Sequence, residues 1–599
     1  MWIRTFVHLV ALISIAKCSD ITPAVFGNEL YGMPAAFGDF NSDELTDVFM
    51  LRTYDKTHTV EIFLAAEQEP LLRPKPDLNC SFKDHVTSIV PGDFDGDVFM
   101  DILVTTFNRD KKLTYAHILW GGNGHLNCSN EWNPFIEMRD QPLALDYNQD
   151  MIIDLFGVDK DGKRMFWIFN ENRTTPDTVE MCKYSLMPSE PLEPVRNPHS
   201  NAFLDWNGDF LPDLVITTKK SFEIWYGLGT GKEFTFSHEI DLPYNISIDK
   251  NFKGEFGQTL YLDVELTGKM ALLLPLCFDE ACTNCTIMMY LNGWYNLRVN
   301  FRDPNNVLWG FVKPNGHRYT ETITLRGGDF NMDGYPDLLA TLQSAKQTQS
   351  FLLQNVACNN CAGFNRTFDV KWQALNPFYN ETAMAVFYDF YQDGILDVIL
   401  VEVDKTKNDT YRTAAFKNSL DYDANFVKVM VLTGRTNSMY PISPGSLGKK
   451  KRTYGTNLPG PSIAYRTTTQ DGSPRNAIAA QLPQSAHFSL NLPYTTFGLG
   501  RTPNFVDALT IGVGGKSREW PQIIPNSQMV VIPNPIAEPS RWKAQLFVTP
   551  SKLILLSAAA LSGTCALITS LILGLYWKER REDKIERLQE AHRFHFDAM

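Results

Sequence analysis

Strand-length apolar runs along this chain bracket a polar nine-residue segment whose acidic positions keep fixed offsets. Around GGDFNMDGYPDLLA, residues 327–340, the flanks Thr322-Ile323-Thr324-Leu325 and Leu338-Leu339-Ala340 have strand character, not helical periodicity. Between them, oxygen-bearing side chains stand at Asp329, Asn331, Asp333 and Asp337, positions 1, 3, 5 and 9 of the loop. Gly334 occupies position 6, where a sharp turn favours a residue without a Cβ. Alternate positions of a tight loop point inward together, and a hard cation such as Ca2+ takes about six to eight oxygens. The pattern predicts a cation loop at the tip of a β-hairpin. It is too short for an EF-hand, which needs about twelve residues and a closing bidentate Glu.

The segment recurs. The same offsets give Asp39/Asn41/Asp43/Asp47, Asp93/Asp95/Asp97/Asp101, Asp146/Asn148/Asp150/Asp154 and Asp205/Asn207/Asp209/Asp213. After the Asp329 copy comes Asp389/Asp393/Asp397, with Tyr391 where the second ligand belongs. A worn copy, YLDVELTGKMALLL at 261–274, keeps only Asp263 and Glu265. First positions at 39, 93, 146, 205, 263, 329 and 389 set a period of 53 to 66 residues. Short strands in every unit at that period predict four-stranded blades around a central axis, and seven copies predict seven blades.

AAFGDFNSDELTDVFML, IVPGDFDGDVFMDILV and LRGGDFNMDGYPDLLA resemble the FG-GAP repeats of the integrin α-chain propeller. The resemblance implies that the Asp/Asn loops bind structural Ca2+ on the lower rim, away from the face that meets ligands. Copies one to four and the sixth keep all four side-chain positions; the seventh lacks the second, and the fifth lacks the third and fourth. One departure stands out. Among the six copies that keep the third ligand, position 6 is glycine only at Gly334 and Gly394, and elsewhere Glu44, Val98, Met151 and Phe210 predict strained or reshaped loops.

Taken in order, residues 1–18 read as a secretory signal: Arg4 precedes an apolar run from Phe6 to Ala16, too short to span a bilayer, with a small-residue cleavage pattern at Ala16 and Cys18. Residues 19–420 carry the propeller. Ile21–Leu30 lack a partner of their own and are expected to supply the outer strand of the last blade, leaving only short sheet edges. Eight N-x-[ST] sequons, at Asn79, Asn127, Asn172, Asn245, Asn284, Asn365, Asn380 and Asn408, all precede the apolar C-terminal segment and predict a glycosylated exterior. Apart from Cys18 and Cys565, the cysteines are Cys80, Cys128, Cys182, Cys277, Cys282, Cys285, Cys358 and Cys361, an even set that favours disulfides of open connectivity. The pairs Cys282-x-x-Cys285 and Cys358-x-x-Cys361 have zinc spacing, but an oxidising compartment argues against that reading.

Residues 421–545 lose the Asp loops and gain Gly, Pro and Ser. The strand-like NFVKVMVLTG, the phrase FGLG at Phe497–Gly500, and Val506-Asp507 before Leu509–Val513 resemble the ASPIC-type module, which implies a small β-sandwich. The basic run Lys449-Lys450-Lys451-Arg452 reads as a solvated loop; it lacks the Arg four residues upstream that convertase cleavage would want. Residues 553–577 are uncharged, long enough to cross a bilayer, and followed by Lys578, Arg580 and Arg581, which marks the tail 578–599 as cytoplasmic. With the signal segment, this predicts a single-pass type I protein of the cell membrane. The small pairs Ala559/Gly563 and Ser570/Gly574 would allow a weak helix-mediated homodimer. The tail's mixed charge through Glu590 suits a solvated helix, and its end, with His592, Phe594, His595 and Phe596, reads as a docking peptide for a cytosolic protein.

The whole layout is all-β: a seven-bladed FG-GAP propeller, a β-sandwich-like domain and one C-terminal transmembrane helix. It resembles the T-cell immunomodulatory protein family, also called linkin. That resemblance implies adhesion or receptor-like signalling through protein ligands on the extracellular face, with an ectodomain that acts on T cells when released. The net charge of −13 reflects the carboxylate loops and excludes nucleic acid as a partner. An alternative role is a membrane scaffold holding cytosolic complexes by the tail. A metal-dependent hydrolase fits least: the Asp loops repeat around a rim instead of converging on one pocket, and no nucleophile elbow, H-E-x-x-H or phosphate loop occurs.

Overall fold

The computed structural model describes residues 19–596 apart from 55–56, 123, 130–132, 174, 183–191, 230–233, 246–251, 315–321, 360, 376–380, 405–409, 420–423, 437–453, 470–471, 484–489, 502–504 and 549–551. The signal segment, the sequons at Asn380 and Asn408, and the basic run 449–452 fall outside the described residues.

Seven antiparallel sheets of four or five strands follow one another along the chain and form the blades. In the first blade the strands are Met33–Gly38, Asp47–Tyr54, Thr57–Ala65 and Leu72–Phe82. The polar nonamer always joins the first strand of this motif to the second. Its position 9 pairs with the residue just before position 1 in every blade: Gly38 with Asp47, Gly92 with Asp101, Leu145 with Asp154, Leu204 with Asp213, Leu262 with Ala271, Gly328 with Asp337 and Tyr388 with Asp397.

Packing explains why the inner strands are uninterrupted apolar runs. Ala271–Cys277 is buried throughout. Leu272 and Leu274 join a core shared with the fourth blade, while Leu273 joins one shared with the sixth. Successive side chains of a strand point to opposite faces, and both faces meet another blade. Outer strands meet solvent instead, as in Asp177–Glu180. Phe37 and Val48 of the first blade share a core with Val386 and Ile399 of the last.

The N-terminal segment does complete the seventh sheet, but not as a strand over 21–30. Ser19–Asp20 pairs with Lys417 and Phe416, Thr22–Phe26 forms a short helix, and Tyr31 bridges to Arg412. The Pro at the head of that helix presets its first turn, and Gly27 ends it. The disulfides are Cys80–Cys128, joining the first two blades, Cys277–Cys285 across a hairpin of the fifth, and Cys358–Cys361. Cys182 and Cys282 are unpaired, so the even set does not close on itself. Cys285 bonds Cys277, which removes the Cys282-x-x-Cys285 zinc reading.

The following domain is a sandwich of two four-stranded sheets. One contains Asn425–Val431 between Thr495–Gly500 and Ser527–Ile532, with Lys543–Val548 at its edge; the other contains Pro474–Ala480, Ser462–Thr468, Val506–Val513 and Lys516–Ile523. The last element is a separate unit, the helix Lys552–Phe596, which runs through the apolar segment and the charged tail without a break.

Candidate functional site: the acidic rim beneath the sandwich

All seven nonamers share one backbone. Positions 4 and 6 are left-handed in each: Ser42 and Glu44, Gly96 and Val98, Gln149 and Met151, Gly208 and Phe210, Leu266 and Gly268, Met332 and Gly334, Gln392 and Gly394. The worn fifth copy keeps this shape although it has lost half its ligand positions. The first carboxylate explains why. Backbone N–H groups of positions 5 and 6 donate to it, as from Thr267 and Gly268 to Asp263 at 3.0 and 2.8 Å, or from Asp333 and Gly334 to Asp329 at 3.2 and 2.8 Å. Asp263 therefore persists as the keystone of the turn.

Position 9 is a second fixture. Its Oδ1 accepts the N–H of a residue that leads the third strand into the next loop: Ala65 to Asp47, Gly121 to Asp101, Phe169 to Asp154, Gly227 to Asp213, Asn355 to Asp337 and Asn418 to Asp397, all within 2.7–3.0 Å. These six carboxylates are fully buried. At position 3, Asn41, Asn148, Asn207 and Asn331 donate their amides to the position-5 carboxylates of Asp43, Asp150, Asp209 and Asp333. In the second loop Asp93, Asp95 and Asp101 bring one oxygen each within 4.8 Å of the others, and Asp93 Oδ1 is buried without a hydrogen-bond donor. Arg173 pairs with Asp95 and, at 2.9 Å, with Asp97 of that loop.

Burial and mutual repulsion push these carboxyls upward. Asp39 and Asp93 rise to about 8, Asp146, Asp213 and Asp337 to about 7, and Asp47, Asp101, Asp154, Asp329 and Asp397 rise well above the ordinary range. Desolvation leads in every case. Such clusters favour protons or an external cation, and their all-oxygen donor set is what a hard divalent ion takes. The first, second, third, fourth and sixth loops offer four such side chains each.

The sandwich sits on this rim, which sequence reasoning did not foresee. Arg435 donates to Gly96 O at 3.1 Å and Asp150 O at 3.0 Å in the second and third loops. Gly515 N–H donates to Phe210 O of the fourth, and Ile478 N–H to Asp263 of the fifth at 3.3 Å. Gly498 N–H donates to Asp329 Oδ2 at 3.0 Å while Arg475 donates to Asp333 O at 2.8 Å in the sixth. Lys428 reaches Asp389 of the seventh at 3.3 Å.

Two of the odd residues at position 6 now have a reason. Met151 belongs to the sandwich core, and Phe210 fills the space a Cβ at Gly512 would take, 2.3 Å from its ring. Where position 6 is glycine the direction reverses. A Cβ on Gly394 would lie 2.4 Å from the Phe426 ring, and one on Gly334 would lie 2.6 Å from the Arg475 guanidinium. Of the described sequons, Asn79, Asn127, Asn172, Asn284 and Asn365 are exposed, and Asn245 ends a short 3-10 turn.

A seven-bladed propeller capped on its loop rim by a β-sandwich, with a separate helix long and apolar enough to cross a membrane, defines a membrane-anchored, receptor-like protein. The chain is 39% identical to a human T-cell immunomodulatory protein over 97% of its own length and 94% of the relative's, and 40% identical to the mouse protein at the same coverage. It belongs to the T-cell immunomodulatory protein family. Protein linkin of Caenorhabditis elegans is 27% identical over 95% of this chain and 96% of its own. A family profile described as "ITFG1, C2 domain" matches residues 453–547, which hold most of the sandwich. Among solved structures, an Agrocybe aegerita lectin recognising non-reducing terminal N-acetylglucosamine aligns over 65% of this chain and 91% of its own at 13% identity and a TM-score of 0.34, too low to carry an argument.

Proposed function

We propose that the protein is a single-pass type I cell-surface glycoprotein whose Ca2+-stabilised propeller presents its free face to protein ligands in adhesion, and that it modulates T cells, the role given in the name of its mammalian relatives. It is not an enzyme in this reading. The observation that carries it is the occupied rim. With the sandwich seated on the Asp loops, the face left for partners is the opposite one, formed by the hairpins between second and third strands, such as 217–221 and 343–348. The calcium ions would bind Asp39, Asp93, Asp146, Asp205 and Asp329 with their loop partners and hold the rim in shape. The helical tail continues past the basic cluster at 578–581 and would offer its end to a cytosolic protein.

Two single substitutions test the face directly. Lys219→Asn and Lys346→Asn each complete a sequon, before Ser221 and Thr348, in hairpins of that face. Glycans there should reduce binding of T cells to full-length protein in supported bilayers at least about tenfold, the effect of losing on the order of 1.4 kcal/mol. Unchanged binding by both glycosylated variants would refute the assigned face. An epitope after Met599 should be reached by antibody only in permeabilised cells.

A further inference from the structure

The seventh loop differs from the others in three linked ways. Its position 3 is Tyr391, whose ring centroid lies 3.7 Å from Lys417 Nζ. Its first carboxylate, Asp389, is fully buried and meets the ammonium of Lys428 at 3.3 Å. Lys428 comes from the middle of the sandwich strand Asn425–Val431, is itself 2% exposed, and lies 3.8 Å from the ring centroid of Tyr494. Lysine is almost never buried this far without an anionic partner. Asp389 Oδ2 also accepts the N–H of Gly394, and Oδ1 that of Asp393. Beside it Phe426, two residues before Lys428, closes the space over Gly394.

We propose that the seventh loop is a socket for the chain's own cation: Lys428 takes the place of a metal ion there and latches the sandwich to the propeller. The ligand lost at Tyr391 and the cation gained at Lys428 are two halves of one substitution. A divalent ion has no place in the socket, because an ammonium at hydrogen-bond distance already faces the carboxylate it would need. The second loop makes the contrast. Arg173 also faces acids there, but its side chain is 42% exposed and all four ligand positions remain, so it stays exchangeable. Lys428 is walled in by the domain that carries it.

The consequence is a division of labour around the rim. Loops with four oxygen positions depend on dissolved calcium, whereas the seventh contact does not. The sandwich therefore keeps this buried charged tether when calcium is withdrawn.

The test uses full-length protein in detergent and two readouts. Bound calcium is counted after equilibrium dialysis for wild type, Asp389→Asn and Asp329→Asn; melting temperature is measured for Lys428→Met, Asp389→Asn and the double variant, with calcium and with chelator. This rests on the calcium reading only for the count, and Asp329→Asn reports on that reading separately by losing one equivalent. For the socket, Asp389→Asn should bind as much calcium as wild type. Lys428→Met should melt several degrees lower, equally with calcium and with chelator, and the double variant should recover most of that loss. Loss of one calcium equivalent in Asp389→Asn would overturn the proposal. Strictly additive melting shifts would overturn it too, because they would show that the two charges do not meet.

Discussion

Gly394 and Glu44 occupy the same loop position in the same left-handed conformation, at φ of 76° and 71°, yet substituting them should have unequal results. An L-residue in that conformation costs about 1–2 kcal/mol. At Gly394 a Cβ also meets the Phe426 ring at 2.4 Å, so Gly394→Ala should destabilise by about 2 kcal/mol or more, read from thermal or denaturant unfolding. Glu44→Gly relieves strain in the first loop but adds freedom to the unfolded chain, leaving stability within about 0.5 kcal/mol of wild type. A second residue-scale prediction concerns His199. Its Nε2–H donates to Gln141 O at 2.6 Å and its Nδ1 accepts the Asn201 N–H, so the ring is held neutral, and burial lowers it from 6.5 to about 4. The unfolded chain takes up the proton first as pH falls, so this group removes up to ~3 kcal/mol of stability between pH 6.5 and 4. His199→Gln should flatten the pH dependence of melting in that window. Parallel curves for variant and wild type would refute the assignment.

At the scale of elements, the blades were legible because two signals coincide: an inner strand must be apolar on both faces, and each blade's loop must begin with the same Asp. Blade five shows which signal is the deeper one. Its loop lost its third and fourth ligand positions but kept Asp263, because a turn of this shape needs a carboxylate for two inward N–H groups. Position 6 was legible only as an anomaly. Met151 and Phe210 break a local rule for contacts made some 300 residues along the chain, which no local pattern encodes. The Cys80–Cys128 disulfide was unreadable for a similar reason: its pairing depends on which blades lie side by side. Cys80–Cys128 closes 48 residues between the first and second blades, and reducing or removing it should cost about 4 kcal/mol by loop entropy. Melting of a Cys80→Ser, Cys128→Ser variant checks this, and a midpoint equal to wild type would show that blade packing alone sets the loop.

For the whole molecule, the sequence showed a propeller, a sandwich and an apolar helix as beads on a chain, and it assigned the acidic rim only to metal. The structure gives that rim the task of docking the sandwich. The sandwich lays backbone N–H groups from Ile478 and Gly498 directly onto loop carboxylates, so loop geometry and domain docking are one equilibrium. If calcium fills the loops as proposed, removing it should loosen both together, because the buried carboxylates would lose the charge that balances them. Hydrogen–deuterium exchange on the full-length protein, with calcium and with chelator, measures this coupling most directly. The account predicts that chelation speeds exchange in the loops and, in the same samples, across Pro474–Ala480 and Thr495–Gly500 of the sandwich, while the free-face hairpins at 217–221 and 343–348 hold their protection. Sandwich segments that exchange at the same rate in both conditions would contradict it.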